Sequence, residues 1–547
     1  MLRIRHVWAV TPLILLFFWL ALNSLVGDSP TMDEQNHLAR GLAFLRTGDP
    51  RLSLEHPPLI NTLSALPLLT LPNIRLPLDD PSWGWKDGWY RFAELLLWEY
   101  NHDVGRMIFL ARLPIVFLTL GLALTAYHFA REVWRKRAAG LAAFALCLWD
   151  PNVLAHGRYV TTDLGGALFL LLATWLLWRL WQRPAWDGRR WLAAGVGLGL
   201  ALGSKLTSLA FGPVWLALAC LPPVGQGWGW RKIGRNLLQL VSAGLVGLLV
   251  VWLIFGLQWG PFQFENAQLA RLNAYAGPMP TFWAGLERIL LLSSGGRPSF
   301  LLGRFSTQGF WLYFPVTFLV KTPLPTLALI IVAAVTLLKN AVTRRQAAFF
   351  LTAAAVYFGL SMQSALNLGY RHLLPILPLL FCLISGLWTR RWGRLRQIAH
   401  SALPATALLS ALLIHPHYLS YFNALAGGPR NGYNVLIDSN IDWGQDLLRL
   451  QTWMAAHQVE RVKLAWFGSA DPAYYHIAYD PLPGLPRHFD LWWAPPFNPA
   501  QPEPGVYAIS VSNLWELPLE EKTVFAWFRA RPPDDRVGYS ILVYDVK

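Results

Sequence analysis

The chain has 547 residues, a mean hydropathy of +0.35 and only 14% charged residues. A soluble protein of this length could not bury so much apolar surface, so the composition excludes an ordinary soluble enzyme and indicates a polytopic α-helical membrane protein. The net charge of +15 would suggest nucleic-acid binding in a soluble chain, but here the positions of the charges favour a different explanation.

Apolar runs define the predicted membrane spans, because a helix needs about 20 apolar residues to cross about 30 Å of hydrocarbon. On this criterion the sequence predicts about eleven spans. They are 7–27, 107–130, 138–154, 160–181, 191–205, 207–223, 237–258, 312–338, 347–364, 372–388 and 398–415. The first run is too long for the apolar core of a signal peptide, so we expect it to be retained as a membrane helix.

Basic residues in the short loops between these spans predict the orientation. Arg3 and Arg5 precede the first span, and Glu132 and Asp187 are the only acids among the basic loops. These loops are 131–137, 182–190, 230–235, 339–345 and 389–396. With eleven spans they all lie on one side, which the positive-inside rule assigns to the cytoplasm. The sequence thus predicts an inner (plasma) membrane protein with a cytoplasmic N-terminus, and no nucleic-acid partner.

The opposite, extracytoplasmic side receives every long segment. We expect a membrane domain over residues 1–415, with outer loops 28–106 and 259–311, and a small α/β domain over 416–547. In the first outer loop, Glu34–Arg46 and Pro57–Leu71 are amphipathic and are predicted to lie flat on the membrane.

The tail changes pattern, and its alternation predicts strands and one helix. We expect strands at 462–468, 505–511 and 539–546, a helix over Asp442–His457 and a proline-rich loop over 480–504. Cys147, Cys220 and Cys382 all lie inside apolar runs, so we expect no disulfide to hold this domain.

Ionisable side chains gather near the predicted outer ends of the spans. Such groups are costly at a membrane boundary unless they snorkel, pair or take part in chemistry. The carboxylates could deprotonate a hydroxyl, and the cations could hold a phosphate on a lipid. The group comprises Asp33, Glu34, Glu55, His56, Arg158, Asp163, Lys205, Lys321, Tyr370, Arg371 and His372.

Several of these residues also have an interpretation that involves no catalysis. Asp28 or Asp33 would cap a helix that begins near Glu34, and Asp163 would cap the span that follows it. Lys321 and Arg371 would snorkel toward lipid headgroups. Asp33, Glu55 and His56 could instead hold a divalent cation, although no ligand spacing identifies such a site.

Seven motifs occur in an order that resembles a known family. They are DEQNH (33–37), EHPPL (55–59), DPNVLAHGRYVTTD (150–163), GSKLT (203–207), YFPVTFLVKTP (313–323), NLGYRHLLPILP (367–378) and DSNIDWGQDL (438–447). Together they resemble the lipid-phosphate-sugar-dependent glycosyltransferases of the type C membrane fold, which include protein O-mannosyltransferases and the aminoarabinose transferases of lipid A. The chain looks most similar to the bacterial branch of the family 39-like enzymes, and the resemblance spans residues 28–447.

The resemblance implies an inverting membrane transferase that uses a polyprenyl-phosphate-linked sugar and a hydroxyl acceptor on a lipid, glycan or protein. It implies that Asp33 is the base, with Glu34 beside it, and that Asp163 is the second acidic catalytic position. The resemblance implies no definite cofactor, and it leaves open whether the enzyme uses a divalent metal ion. The candidates for substrate binding are Glu55, His56, Arg158, Lys205, Lys321, Tyr370, Arg371 and His372.

Two departures from the O-mannosyltransferase pattern argue against a protein acceptor. Leu59-Ile60-Asn61 stands where those enzymes carry a Gly-Lys pair, and the chain has no inserted β-trefoil domain. Two other classes of protein also remain open: a transporter or flippase for a lipid-linked sugar, and a non-catalytic assembly protein that binds glycolipid. Clustering of the acids at one face argues against transport, because transporters place charge near the bilayer midplane.

Overall fold

The computed structural model describes residues 2–85, 87–183, 185–221, 229–389, 405–488, 491–493 and 497–547. Helices dominate the first three quarters of the chain, and most strands lie in the tail. The α-helices of the membrane part are Leu2–Val26, Val104–Trp134, Arg137–Trp149, Pro151–His156, Thr162–Trp181, Gly188–Ser204, Gly212–Ala219, Trp230–Ile254, Tyr313–Lys321, Leu324–Leu338, Arg344–Ser361, Leu377–Ser385 and Ala405–Ile414. Short 3₁₀ segments extend two of them: Leu206–Phe211 precedes Gly212–Ala219, and Tyr370–Ile376 and Gly386–Thr389 flank Leu377–Ser385.

Each predicted span overlaps a helix in the described part of the chain, but the lengths differ. Among the described residues, four helices are long and apolar enough to cross a membrane, or five if one bent pair is counted as a single span. The four are Val104–Trp134, Thr162–Trp181, Trp230–Ile254 and Tyr370–Thr389. Residues 390–404, which hold most of the last basic loop and the start of the last predicted span, lie outside the described residues. The number of eleven spans and the orientation therefore stay predictions.

The predicted continuous span 312–338 is wrong, because the chain turns sharply within it. Helix Tyr313–Lys321 and helix Leu324–Leu338 meet at an angle of 109°. The turn falls at Thr322-Pro323, where Thr322 is extended with ψ 134°. A proline removes a backbone donor and disfavours helical geometry in the residue before it, so the helix ends there.

Close packing of two helices positions the lysine that interrupts the apolar run 191–223. A Cβ atom added at Gly195 would lie 2.6 Å from the Cβ of Val246, and one at Gly199 would lie 2.5 Å from that of Val250. Glycine at four-residue spacing thus lets helix Gly188–Ser204 approach helix Trp230–Ile254. Lys205 follows directly, at the end of the first of these helices.

The first outer loop folds into a small helical layer of its own. Helix Glu34–Thr47 is buried over its first ten residues, including the polar side chains of Gln35, Asn36 and His37. This helix is therefore internal, and the prediction that it lies flat on the membrane is wrong because protein covers its polar side as well. The other helical segments are Pro58–Ala65, Leu66–Thr70, Pro81–Trp83, Trp89–Glu94 and Leu95–Glu99.

The second outer loop combines two short hairpins with one helix. Trp259–Pro261 pairs with Ala276–Pro278, and Ser299–Leu301 pairs with Arg304–Ser306. The helix Pro280–Gly295 lies between the hairpins in the chain. Gly285 packs against the first loop so closely that an added Cβ would lie 1.9 Å from the Leu54 carbonyl oxygen.

The tail contains a five-stranded mixed sheet. Its strands run in the order Asp535–Val537, Ile541–Val546, Gly505–Ser510, Val462–Ala465 and Tyr479–Pro481. Val462–Ala465 is parallel to both of its neighbours, and the other pairs are antiparallel. Three of these strands lie in the stretches predicted as strands, and helix Leu447–Ala456 lies in the stretch predicted as a helix. The boundary of a separate domain at residue 416 stays a prediction.

The interpretation of 480–504 as a proline-rich loop is wrong in part. Tyr479–Pro481 forms the edge of the five-stranded sheet, and Leu485–His488 pairs with Leu491–Trp493 in a separate hairpin. Proline is tolerated in both places because an edge strand and a two-stranded hairpin leave one side of the backbone without a ladder partner.

A buried carboxyl group in the tail predicts that stability falls as the pH rises. Burial raises the pKa of Asp442 from 3.8 to about 7, although the Ser512 backbone N–H, 3.0 Å away, opposes the rise. A raised folded-state pKa gives stability that is complete below about pH 4 and is lost as the pH passes through about 7. We expect the thermal transition of the purified protein to fall between pH 5 and pH 8, and Asp442→Asn to flatten that dependence. An unchanged slope in the variant would contradict this assignment.

Candidate functional site

Asp33 faces an arginine from a distant part of the chain. It stands at the N-cap of helix Glu34–Thr47, but its side chain makes no capping hydrogen bond. Its Oδ2 instead accepts a hydrogen bond from Arg371 Nη1 at 2.7 Å, and 30% of the side chain is exposed. The capping interpretation of Asp33 is therefore wrong. This carboxylate is partly exposed and is held by Arg371.

The charge of Arg371 decides the protonation of Asp33. Burial alone would raise the pKa of the Asp33 carboxyl, but the charge and hydrogen bond of Arg371, together with His37, hold the pKa below its ordinary value of 3.8. Asp33 is consequently ionised at neutral pH, which is the form that a proton acceptor requires.

A second carboxylate and a second cation complete the cluster. Arg371 Nη1 lies 3.9 Å from Asp163 Oδ2, and Lys205 Nζ donates a hydrogen bond to Asp163 Oδ1. Asp163 is only 4% exposed and lies in the first turn of helix Thr162–Trp181, where the helix dipole also favours an anion. We call Asp33, Asp163, Lys205 and Arg371 the charge cluster, and its formal charges sum to zero.

A small cavity opens beside the charge cluster. Three members of the cluster, Asp163, Lys205 and Arg371, line it. The rest of the wall is formed by Gly166, Ala167, Leu170, Thr207, Ser208, Tyr357, His372 and Pro375. Two cations beside hydroxyl groups and an apolar wall suit an anionic group attached to an apolar chain.

Two histidines of the first loop, His37 and His56, lie close to the charge cluster. His37 Nδ1 lies 3.0 Å from Asn61 Oδ1, and His56 Nδ1 lies 3.2 Å from Thr162 Oγ1. The two imidazole rings meet edge to face, with centroids 4.6 Å apart. Burial lowers the pKa of His37 to about 4, helped by the charge of Arg40, and lowers the pKa of His56 as well. Both rings are therefore neutral at pH 7.

The ligand set proposed for a divalent cation does not assemble. The Glu55 carboxylate lies 3.1 Å from Arg288 Nε and 3.9 Å from Arg40 Nη2. Within the described ranges, no three or more His, Cys, Asp or Glu side chains are grouped so that they could hold a metal ion. The geometry of these side chains therefore does not support a metal at Asp33, Glu55 and His56.

Glu34 lies beside Asp33 in sequence but points away from the cavity. Its Oε1 accepts hydrogen bonds from Arg112 Nε and the Val160 N–H, both at 2.9 Å. Its Oε2 accepts from Arg112 Nη2 at 2.7 Å and from the Thr31 N–H at 2.8 Å. The side chain is 0% exposed. The two bonds from Arg112 join the outer loop to helix Val104–Trp134, and all four together leave Glu34 no free face for a substrate.

Arg158 also lies in a buried network outside the cavity. It donates hydrogen bonds to Asp28 and, at 2.8 Å, to the Ser24 carbonyl. Asp28 also accepts a hydrogen bond from Tyr159 at 2.6 Å and forms an ion pair with Arg449 at 2.5 Å. Asp28 is thus an ion-pair partner and not a helix cap. The assignment of Arg158 to substrate binding is not supported, because its guanidinium is already engaged inside the protein.

Lys321 and Tyr370 are buried and bonded to the protein itself. Lys321 is 2% exposed, and its Nζ donates to the carbonyl oxygens of Leu419 at 2.7 Å and Asn440 at 2.6 Å. The snorkelling interpretation of Lys321 is wrong, since its amine turns inward. The Tyr370 hydroxyl lies 2.8 Å from Thr322 Oγ1. Neither residue lines the cavity, whereas Arg371 and His372 do.

Two contributors were not singled out from the sequence. The indole of Trp443 lies under the Arg371 guanidinium, with 4.5 Å between the guanidinium carbon and the ring centroid. Arg112, which holds Glu34, sits inside a long apolar helix. A lone arginine in an apolar run is a signal for a buried partner, and this signal would have separated Glu34 from the catalytic candidates.

Comparison with known proteins identifies the fold. Residues 100–255 match the family model described as dolichyl-phosphate-mannose-protein mannosyltransferase. The crystal structure of ArnT from Cupriavidus metallidurans in the apo state is similar with a TM-score of 0.50 and 14% identity, over 98% of each chain. No curated protein sequence matches.

Two further solved structures are similar at lower scores. ArnT from Cupriavidus metallidurans bound to undecaprenyl phosphate has a TM-score of 0.49 and 14% identity, over 98% of this chain and 97% of that chain. The Archaeoglobus fulgidus oligosaccharyltransferase in the apo form has a TM-score of 0.43 and 13% identity, over 78% of this chain and 57% of that chain.

The fold is that of the type C membrane glycosyltransferases, carried by a multi-pass helical membrane protein. Together with the family-model match, this confirms the resemblance to type C glycosyltransferases that the order of the motifs predicts. Over residues 100–255 the chain is thus similar to the family 39-like proteins, and its fold is of the type C glycosyltransferase kind.

Proposed function

We propose that this protein transfers a sugar from a polyprenyl-phosphate-linked donor to a hydroxyl acceptor, with inversion at the anomeric carbon. The charge cluster carries the proposal. It contains one ionised, partly exposed carboxylate, Asp33, joined through Arg371 to a cation-lined cavity. The description of the matching family model, which names a polyprenyl-phosphate-linked mannose, is consistent with this donor class.

The chemistry needs a base and a site for a phosphate leaving group. In the proposed step the acceptor oxygen attacks the anomeric carbon while the bond from that carbon to the phosphate oxygen breaks. The acceptor proton passes to Asp33, and the electron pair of the broken bond stays on the polyprenyl phosphate. Lys205 and Arg371 stabilise the charge that grows on this phosphate.

The charge balance of the cluster suggests how the donor enters. Without donor, Arg371 and Lys205 are neutralised by Asp33 and Asp163. A phosphate in the cavity would compete for both cations and would weaken the Arg371–Asp33 pair. Binding of the donor would thereby free the Asp33 carboxylate for the acceptor hydroxyl. Asp163 would stay with Lys205 and hold it toward the phosphate.

The other candidates take supporting roles in this proposal. Glu34 fixes the loop that carries Asp33, and the Glu55–Arg288 pair joins the two outer loops. His56 holds the first turn of helix Thr162–Trp181 through Thr162. His372 and Tyr357 form the cavity wall next to the cations. No resident cofactor is assigned, and the acceptor is defined only as a hydroxyl.

Donor binding by Arg371 gives a direct test. Arg371→Ala is expected to raise the apparent KM for the donor by roughly 30-fold, because a partly buried charge that meets the phosphate is lost. The KM for the acceptor should change much less. The assay is release of free polyprenyl phosphate from liposomes that contain the purified protein.

Matched variants separate this effect from general damage. Arg371→Lys keeps the charge but lacks the planar group that reaches two carboxylates, so we expect an intermediate KM. Arg106→Ala removes an arginine that is 64% exposed and should leave the KM unchanged. If Arg371→Ala left the donor KM unchanged, the assignment of Arg371 to donor binding would be wrong.

The proposed orientation places this site on the extracytoplasmic face of the inner membrane, with the N-terminus in the cytoplasm. A transporter or an assembly protein with the same fold would bind the lipid-linked sugar without cleaving it. Such a protein would release no polyprenyl phosphate and would tolerate Asp33→Asn, so the same assay separates these classes from the transferase.

A further inference from the structure

The first segment of the tail holds the loop that presents Asp33. We call residues 441–447, with the sequence IDWGQDL, the tail brace. The Met32 N–H donates to the Trp443 carbonyl at 2.8 Å, and the Ser29 N–H donates to the Gln445 carbonyl at 3.0 Å. Ser29 Oγ donates to the Gly444 carbonyl at 2.8 Å and accepts from the Leu447 N–H at 3.0 Å. The backbone next to Asp33 is therefore fixed by the tail and not by its own loop alone.

The brace has a fixed shape of its own. Gln445 Oε1 accepts from the Trp443 N–H at 2.8 Å, and Gln445 Nε2 donates to the Ile441 carbonyl at 2.8 Å. Gly444 has φ +89°, and a Cβ there would lie 3.0 Å from the Cα of Gly468. Only glycine fits this position without strain. The turn consequently sets the direction of the Trp443 side chain.

The indole of Trp443 contacts the other half of the Asp33–Arg371 pair. It is buried, with the Arg371 guanidinium carbon 4.5 Å from its centroid. His156 and Tyr159 hold the ring from other directions, with centroids 6.0 and 6.3 Å away, both edge to face. A guanidinium that stacks on an aromatic face is restrained in orientation and keeps its N–H edge free for anions.

We propose that Trp443 is a positioning residue, which sets the guanidinium of Arg371 between Asp33 and Asp163 and so prepares it for the donor phosphate. One residue thereby controls both partners: its carbonyl holds Met32 beside Asp33, and its ring holds Arg371. The inference rests on the proposed function, because positioning of Arg371 has an effect only if a donor phosphate binds there. It also gives the tail a role in catalysis, since the brace belongs to the segment that leads into the tail sheet.

The test compares Trp443→Leu and Trp443→Phe with the unaltered protein. Trp443→Leu removes the ring face, and we expect kcat/KM for the donor to fall about tenfold to thirtyfold, mainly through KM. The affinity for polyprenyl phosphate alone should fall with it. Trp443→Phe keeps a ring face and should recover most of this loss. Trp453→Leu, in the neighbouring tail helix and bonded to Asp535 at 2.7 Å, is the matched control and should leave both values unchanged.

Coupling to Arg371 distinguishes positioning from packing. In an Arg371→Lys background, Trp443→Leu should cost less than about threefold, because a lysine ammonium is oriented less by the ring. If Trp443→Leu does not fold, Trp443→Met, which is unbranched and more flexible and also lacks a ring, replaces it in both backgrounds.

Three results would overturn the proposal. An equal loss from Trp443→Leu in the original protein and in the Arg371→Lys background would mean that Trp443 acts through packing. Failure of Trp443→Phe to recover any donor affinity, at an unchanged thermal transition, would mean the same. An unaltered protein that turns over no donor would refute the proposed function and this inference together, whereas normal turnover with additive variants would refute this inference alone.

Discussion

Asp33→Asn is expected to abolish sugar transfer while the protein still folds and inserts. The amide cannot accept the acceptor proton, and loss of a general base typically reduces a rate by about 10²–10⁴-fold. The fold should tolerate the change, because Asp33 is 30% exposed and its side chain makes no capping bond to helix Glu34–Thr47. Asparagine can still accept a hydrogen bond from Arg371 at this position.

Donor turnover and the thermal unfolding transition are measured on the same preparation of the Asp33→Asn variant. Asp103→Asn changes another acidic residue that begins a helix, but its side chain is 66% exposed and lies outside the charge cluster. This control should keep full turnover. If Asp33→Asn lowered turnover only in proportion to a loss of folded protein, Asp33 would be a structural residue and the proposed base would be wrong.

In contrast to Asp33→Asn, Asp28→Asn should cause a large loss in the free energy of unfolding. Asp28 is buried and pairs with Arg158 and with Arg449, so the substitution removes the counter-charge of Arg158 and leaves Arg449 paired with Asp446 alone. Breaking a buried ion pair by removing one partner costs about 3–5 kcal/mol in free energy of unfolding. We expect a lower thermal transition and faster proteolysis in detergent.

The pKa of Asp28 defines the pH range of this effect. Burial alone would raise the pKa, but Arg158, Arg449 and Arg112 together lower it from 3.8 to about 2. A lowered folded-state pKa gives stability that is present above about pH 4 and is lost as the pH falls toward 2. The difference between Asp28→Asn and the unaltered protein should therefore be constant from pH 5 to pH 8.

A surface ion pair provides the control for Asp28. Asp49 pairs with Arg51 at 2.6 Å, but both side chains are well exposed. Pairs of this kind contribute about 0–1 kcal/mol, so Asp49→Asn should barely move the transition. Equal effects of the two substitutions would contradict the assignment of Asp28 to a buried network that joins the tail to the membrane part.

Part of the site could be predicted from local sequence. Lys205 interrupts an apolar run, and a charge at such a break is costly unless it has a partner or a function. Asp163 precedes a long apolar helix, where the helix dipole favours an acid. These signals depend only on neighbouring residues. The sequence identified four of the residues that line the cavity, Asp163, Lys205, Arg371 and His372, together with their general depth.

The pairing of the charges could not be predicted. Asp33 and Arg371 are 338 positions apart, and nothing in either neighbourhood specifies the other. Glu34 and Asp33 look equivalent in sequence, yet Glu34 is enclosed by Arg112 whereas Asp33 is partly exposed and pairs with Arg371. Lys321 lies near a span end like a snorkelling residue, but the bend at Thr322-Pro323 turns it inward. Each of these outcomes depends on packing between elements that are distant in the chain.

Donor turnover in liposomes tests whether the protein transfers sugar with Asp33 as the base. The purified protein and its Asp33→Asn variant are reconstituted side by side with a panel of polyprenyl-phosphate sugars and candidate acceptors, and release of free polyprenyl phosphate is followed. The account predicts turnover of at least one donor by the unaltered protein and none above background by the variant. Folded protein that turns over no donor, or a variant that is as active as the original, would contradict the account.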